Sequence, residues 1–127
     1  MAGFALRSSS MRRTETPNAV MTTLASPTQG PTDQLSIWRV EMRAGQRGPR
    51  HVFDSEQVWH VLAGELDVTI GGQTTRLTAG DAAVLPAKAE RQISAVTAAQ
   101  VIACGHGSAV VFVPGEDAPR GTPPWIS

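Results

Sequence analysis

Residues 57–77 read QVWHVLAGELDVTIGGQTTRL, and this stretch decides the fold class. A first run of strand character stops at Gly64, and 65–70 then alternates polar with apolar residues, as half-buried strands do. The glycine pair 71–72 separates that run from a further short one at 73–77, which is the pattern of a β-hairpin. The stretch therefore predicts short antiparallel strands joined by tight turns.

The same pattern continues on both sides of this stretch. No window of helical length combines a 3.6-residue period with capping residues. Short strands can bury an apolar face only against another sheet, so the sequence predicts an all-β protein, a sandwich or a barrel. The additional predicted strands are 35–42, 51–53, 82–85, 91–96, 100–104 and 109–113.

The two ends of the chain differ in composition from the middle. Residues 1–34 are rich in Ser, Thr and Pro, and we expect a flexible or strand-swapped N-terminal arm there, with translation starting at Met1 or at Met11. The barrel is expected over 35–115. Several prolines in 116–127 predict an extended C-terminal tail that docks onto the barrel.

Length and charge narrow the class of protein. A chain of 127 residues is the size of one domain. Its 11 basic and 11 acidic residues balance, and no dense basic cluster suggests a nucleic-acid or membrane surface, so neither partner is expected. The single cysteine, Cys104, excludes an intramolecular disulfide and favours a cytoplasmic protein, and we expect its thiol to be buried.

The spacing Gly45-x5-His51-x-Phe53-x3-Gln57-x6-Gly64 resembles the first sequence motif of the cupin superfamily. The resemblance covers roughly residues 35–115 and implies a double-sheet antiparallel jelly-roll barrel, here a small single-domain cupin with an extended N-terminal arm and a pocket between its sheets. The spacing Gly80-x5-Pro86-x-Lys88-x2-Arg91 likewise resembles the second cupin motif.

In metal-binding members of the family, two His, a Glu or Gln, and a further His converge on one divalent ion. The resemblance places His51, Phe53, Gln57 and Arg91 at these four positions in turn. Phe53 offers no donor atom, and a guanidinium repels a cation, so we expect a degenerate metal site and no tightly held cofactor. The alternative is Zn, Ni, Fe or Mn held by His51, Gln57 and a further ligand.

The same positions predict a pocket for a small organic molecule. His51 is the candidate for proton transfer and Gln57 for orienting a ligand. Arg91 would balance negative charge on the ligand, although its side chain could instead reach solvent or pair with an acidic residue. The predicted acidic partners are Glu90, Asp81 and Glu41, and the predicted apolar lining is Trp38, Phe53, Trp59 and Ile93.

Three functions are consistent with these residues. The first is a metal-independent isomerase, cyclase or lyase that acts on an acidic or enolisable metabolite, and the cupins that act on polyketide-like intermediates suggest its substrate class. The second is a non-catalytic metabolite-binding or sensing protein, and the third is a metal-dependent cupin enzyme that uses His51 and Gln57. Cupin barrels commonly pair through a sheet, so a homodimer is expected.

Overall fold

A computed structural model describes residues 3–127, and within that range the chain forms eleven β-strands and one 3-10 turn, Ser8–Ser10. No helix in this range is long and apolar enough to cross a membrane. The strands are β1 Arg12–Glu15, β2 Val20–Ala25, β3 Leu35–Met42, β4 Val52–Phe53, β5 Gln57–Ala63, β6 Glu65–Ile70, β7 Gln73–Thr78, β8 Ala82–Leu85, β9 Arg91–Ala95, β10 Ala99–His106 and β11 Val111–Phe112.

Two main sheets face each other across the core. The larger has the order β1-β2-β3-β10-β5-β8 and the smaller has the order β7-β6-β9, with β4 and β11 forming a separate pair. All pairings between these strands are antiparallel, as the sequence predicted. The glycine pair 71–72 turns β6 into β7, and Ile70 lies opposite Gln73.

The core forms because alternate residues of each sheet point inward. On β3 the side chains of Trp38, Val40 and Met42 are buried, whereas their neighbours in the strand are more exposed. Leu66 and Val68 of β6 contribute in the same way from the opposite sheet. Strand alternation alone therefore separates an inner apolar layer from the outer surface.

The sequence predicted a flexible or strand-swapped arm for the N-terminal segment, but the structure shows ordered strands there. The segment contains β1 and β2, and β2 pairs with β3 of the same chain, with Met21 opposite Val40. The prolines at 17 and 27 lie outside both strands, so they do not prevent this pairing. Two extra strands thus extend the larger sheet.

The C-terminal segment packs against these added strands. Ile126 is fully buried, and Trp125 packs against the core. The hydroxyl of Thr23 on β2 donates a hydrogen bond of 2.7 Å to the carbonyl oxygen of Trp125. The two ends of the chain are therefore held together beside the core.

Candidate functional site

A cavity of about 390 Å³ opens between the two sheets, and most of its lining is apolar. This volume lies within the range of small-molecule pockets. Six of the seven residues that the sequence assigned to the site line it, namely Trp38, His51, Phe53, Gln57, Trp59 and Ile93.

Backbone hydrogen bonds hold His51 beside Arg91, the first residue of β9 in the smaller sheet. Its N–H donates to the carbonyl oxygen of Arg91 at 3.0 Å, and Arg91 N–H donates back to His51 at 2.9 Å, which forms an isolated antiparallel bridge. The imidazole meets the Phe53 ring edge to face, with 5.4 Å between ring centroids. His51 and Phe53 are two residues apart and therefore share the inward face.

The hydrogen bond at Nδ1 determines the tautomer of His51. Nδ1 lies 2.9 Å from the carbonyl oxygen of Pro49, and a carbonyl can only accept, so Nδ1 carries the proton. In the neutral ring, Nε2 then holds a free lone pair. Burial lowers the pKa of His51, as does the nearby positive charge of Arg91, while the Pro49 hydrogen bond opposes both. His51 therefore favours the neutral form, which is the form that accepts a proton.

Gln57 is buried, with 1% of its surface exposed, and it lies at the start of β5. Its Oε1 accepts a hydrogen bond from Trp59 Nε1 at 3.3 Å, since residues 57 and 59 share the inward face of the strand. The neighbouring Glu56 is exposed, as the same alternation requires.

Arg91 does not line the cavity, although the sequence placed it beside the ligand. It is 1% exposed and donates from Nε to the carbonyl oxygen of Ala89 at 3.0 Å and from Nη2 to that of Pro86. The guanidinium carbon lies 5.6 Å from the centroid of the Phe53 ring. Phe53 and the 86–89 loop therefore hold this cation at the edge of the site.

The alternative interpretations of Arg91 do not match its surroundings either. The side chain neither reaches solvent nor pairs with any of the three acidic residues that the sequence suggested. Glu41 pairs with Arg39, Glu90 lies 4.0 Å from Arg50, and Asp81 accepts hydrogen bonds from Thr78. Burial without an anionic partner lowers the pKa of Arg91 to about 10, so the group still carries its charge at neutral pH.

The donor set does not suit the divalent metal that the cupin resemblance implies. Phe53 supplies no donor, the cation of Arg91 lies next to that position, and Gln57 Oε1 already accepts the indole N–H of Trp59. Within residues 3–127, no three His, Cys, Asp or Glu side chains are grouped so that they could share a metal. Among these four positions, Nε2 of His51 is the only nitrogen atom with a lone pair suited to binding a metal ion.

The sequence interpretation missed the contribution of both chain ends to the cavity. Ala19 from the β1–β2 connection and Met21 of β2 line it, together with Trp125 and Ile126 from the C-terminal segment. The apolar run Val20, Met21 and Leu24 was the available signal, but no local pattern indicates which strand it would pair with.

Comparison with known proteins identifies the family. A family model described as "Cupin domain" matches residues 38–112, which is more than half of the chain. The chain belongs to the cupin family. A comparison of the sequence with curated proteins gives no match.

Several solved structures share the fold at low sequence identity. An RmlC-like cupin from Shewanella frigidimarina is 20% identical, with a TM-score of 0.71 over 83% of this chain and 91% of the other. Salicylate 1,2-dioxygenase from Pseudoaminobacter salicylatoxidans, in a structure described as adducts with gentisate, is 21% identical with a TM-score of 0.71, but the match covers only 31% of that chain. A conserved protein of unknown function from Streptococcus pyogenes is 24% identical with a TM-score of 0.61. These likenesses establish the jelly-roll fold.

Proposed function

We propose that this cupin binds a small organic molecule with an acidic or enolisable group and transfers a proton within it without a metal ion, as an isomerase, cyclase or lyase. The observation that carries the proposal is the arrangement of His51. Its Nδ1–H is held by Pro49, which leaves the Nε2 lone pair as a base in a largely apolar cavity.

The proton transfer balances with this chain's own residues. Nε2 of His51 takes a proton from a carbon next to a carbonyl group, and the C–H electron pair moves to form an enolate. The imidazolium then returns the proton to another atom of the ligand. Phe53, Trp59 and Ile93 exclude water from the reacting atoms.

The metal-independent step can be tested without knowing the natural substrate. In D2O, proton NMR follows the exchange of the α-hydrogens of 2-tetralone, a bicyclic enolisable ketone that serves as a probe. We expect the protein to accelerate exchange at least tenfold over buffer, even after dialysis against EDTA. The H51Q variant should lose this acceleration, and H60Q, which changes an exposed histidine, should keep it.

Two results would contradict the proposal. Exchange that persists in H51Q would exclude His51 as the base. Activity that appears only after Zn, Ni, Fe or Mn is added, with near-stoichiometric metal in the purified protein, would favour the metal-dependent alternative.

A non-catalytic binding or sensing function is the second candidate. The position of Arg91 favours it, because this residue, which the sequence assigned to balancing negative charge, lies outside the cavity lining. Ligand retention without any exchange of α-hydrogens would support this function.

A further inference from the structure

Two residues that line the cavity each carry a buried N–H donor without an acceptor among residues 3–127. Trp38 and Gln57 are each 1% exposed. Trp38 Nε1 and Gln57 Nε2 have no hydrogen-bond partner among the residues that the structure describes. Buried donors are rarely left unpaired because each costs stability in the free protein. Two unpaired donors on residues that line one cavity therefore indicate that a ligand supplies the missing acceptor.

Both side chains lie close to the same glycine, Gly105. Trp38 lies on β3 and Gln57 on β5, and β10 separates these strands. On β10, Gly105 lies opposite Gln57, and a Cβ there would lie 3.1 Å from Gln57 Cγ and 3.7 Å from Trp38 Cη2. Gly105 has no positive φ. The glycine therefore provides space for the Gln57 side chain rather than an unusual backbone conformation.

The contact with Trp59 sets the orientation of the Gln57 amide. Trp59 Nε1 can only donate, so the amide atom facing it must be the oxygen. Nε2 then points away from Trp59 as a donor. Trp38 Nε1 is also a donor only, so the two unpaired groups require the same type of partner.

We propose that Trp38 and Gln57 form a two-donor site for an oxygen atom of the ligand, a carbonyl oxygen that becomes the enolate oxygen. This inference rests on the proposed binding of an enolisable molecule in the cavity. Both donors favour an acceptor oxygen and disfavour an amine or another cation. The remaining lining is largely apolar, so the rest of the ligand is expected to be apolar.

The test compares acetophenone with ethylbenzene, which has nearly the same shape but no oxygen. Binding is measured by NMR titration of 15N-labelled protein, whose three tryptophans give three indole N–H signals assignable by Trp→Phe variants. We expect acetophenone to bind about three- to tenfold more tightly, the effect of about one neutral hydrogen bond. The Trp38 indole and Gln57 amide protons should move downfield with acetophenone alone.

Variants separate this inference from the proposed function. In Q57M and W38F, the preference for acetophenone should fall about threefold or more, whereas Q73M makes the same change at an exposed glutamine of β7, outside the cavity lining, and should retain the preference. Because W38F alters a buried residue, the downfield shifts in the unmodified protein provide a test that does not depend on its folding.

Each remaining outcome overturns a different statement. Equal binding of both probes, or shifts that exclude Trp38 and Gln57, would overturn the two-donor site while leaving the binding cavity in place. Failure of both probes to bind would overturn the site and the proposed binding function together. Oxygen-dependent binding without any His51-dependent exchange would retain the site and contradict only the catalytic step.

Discussion

His51 connects the chemistry of the site to the stability of the fold. Its pKa lies below the ordinary value of 6.5 because burial, followed by the charge of Arg91, disfavours the imidazolium. The unfolded chain therefore binds a proton more readily than the folded one. By linkage, folding stability is full above about pH 6.5 and falls as the pH decreases toward the lower folded-state pKa.

We predict that the free energy of unfolding, measured by urea denaturation, decreases between pH 7 and pH 5 and that H51Q reduces this dependence. H60Q changes an exposed histidine and should retain the dependence seen in the unmodified protein. If the free energy of unfolding falls equally steeply with decreasing pH in H51Q and in the unmodified protein, His51 does not titrate as a buried group.

Arg91 should act on His51 through its charge. In R91M, the neighbouring positive charge is lost while a side chain of similar length keeps the imidazole buried. We therefore expect the pKa of His51, measured by NMR titration of its ring protons, to rise part of the way toward 6.5. R91K keeps the charge and should leave the pKa of His51 lower than in R91M. No difference between these variants would assign the depressed pKa to burial alone.

At the scale of elements, Gly64 lies at the turn where the chain crosses from the larger sheet to the smaller one. It lies between β5 and β6 with φ +80°, and an added Cβ would overlap the carbonyl oxygen of Ala98 and lie 2.8 Å from Ala99 Cα. Both the left-handed conformation and the close backbone contact therefore require glycine here.

We predict that G64A lowers the free energy of unfolding by about 3 kcal/mol or more, because steric overlap adds to backbone strain. G72A is the matched control, since Gly72 has φ +83° with nothing within 4 Å of an added Cβ. It should cost only about 1 kcal/mol. Similar losses in both variants by urea denaturation would exclude a special role for the Gly64 contact.

Strand β2 also anchors the C-terminal segment, whose Trp125 and Ile126 line the cavity. Thr23 is fully buried and its hydroxyl donates to Trp125, so T23V leaves that carbonyl oxygen unpaired. We predict a loss of about 1–2 kcal/mol of stability and faster hydrogen exchange at the Ile126 amide. T22V alters the adjacent strand position and should leave that exchange rate near its original value. Unchanged exchange in T23V would show that other contacts hold the segment.

At the scale of the whole molecule, the outer face of the larger sheet presents an uncharged apolar row made of Ile37, Cys104, Val58 and Val84 on four neighbouring strands. Cys104 lies opposite both Ile37 and Val58, and Val58 lies opposite Val84. Val84 is 60% exposed. The prediction that the Cys104 thiol is buried was wrong, because its position on β10 faces outward.

We propose that this apolar row pairs with the same row of a second copy, since none of its four side chains is acidic or basic. Sedimentation equilibrium should give a dimer, and V58K should shift the population at least tenfold toward monomer by burying an unpaired charge. T74K places a lysine on the exposed β7 of the other sheet and should leave the dimer intact. A monomer in the unmodified protein would contradict this pairing.

The sequence by itself determined the fold class and most of the site. Strand alternation and glycine turns are local signals, so β3, the β6–β7 hairpin and the family motifs could be predicted from short windows. The cupin resemblance, together with this alternation, predicted that Trp38, His51, Phe53, Gln57, Trp59 and Ile93 would share one cavity, and all six line it. Cytoplasmic location and the absence of nucleic-acid or membrane partners stay predictions.

Only the tertiary structure decided the surroundings of these residues. The pairing of β2 with β3 joins segments through backbone hydrogen bonds, and these carry no sequence signal. The long Arg91 side chain could have reached several acceptors, and the carbonyl groups of the 86–89 loop, set by the packed backbone, determined its direction. In the same way, the unpaired state of Trp38 and Gln57 depends on which acceptors lie within about 3.5 Å, and that is a property of packing between distant strands.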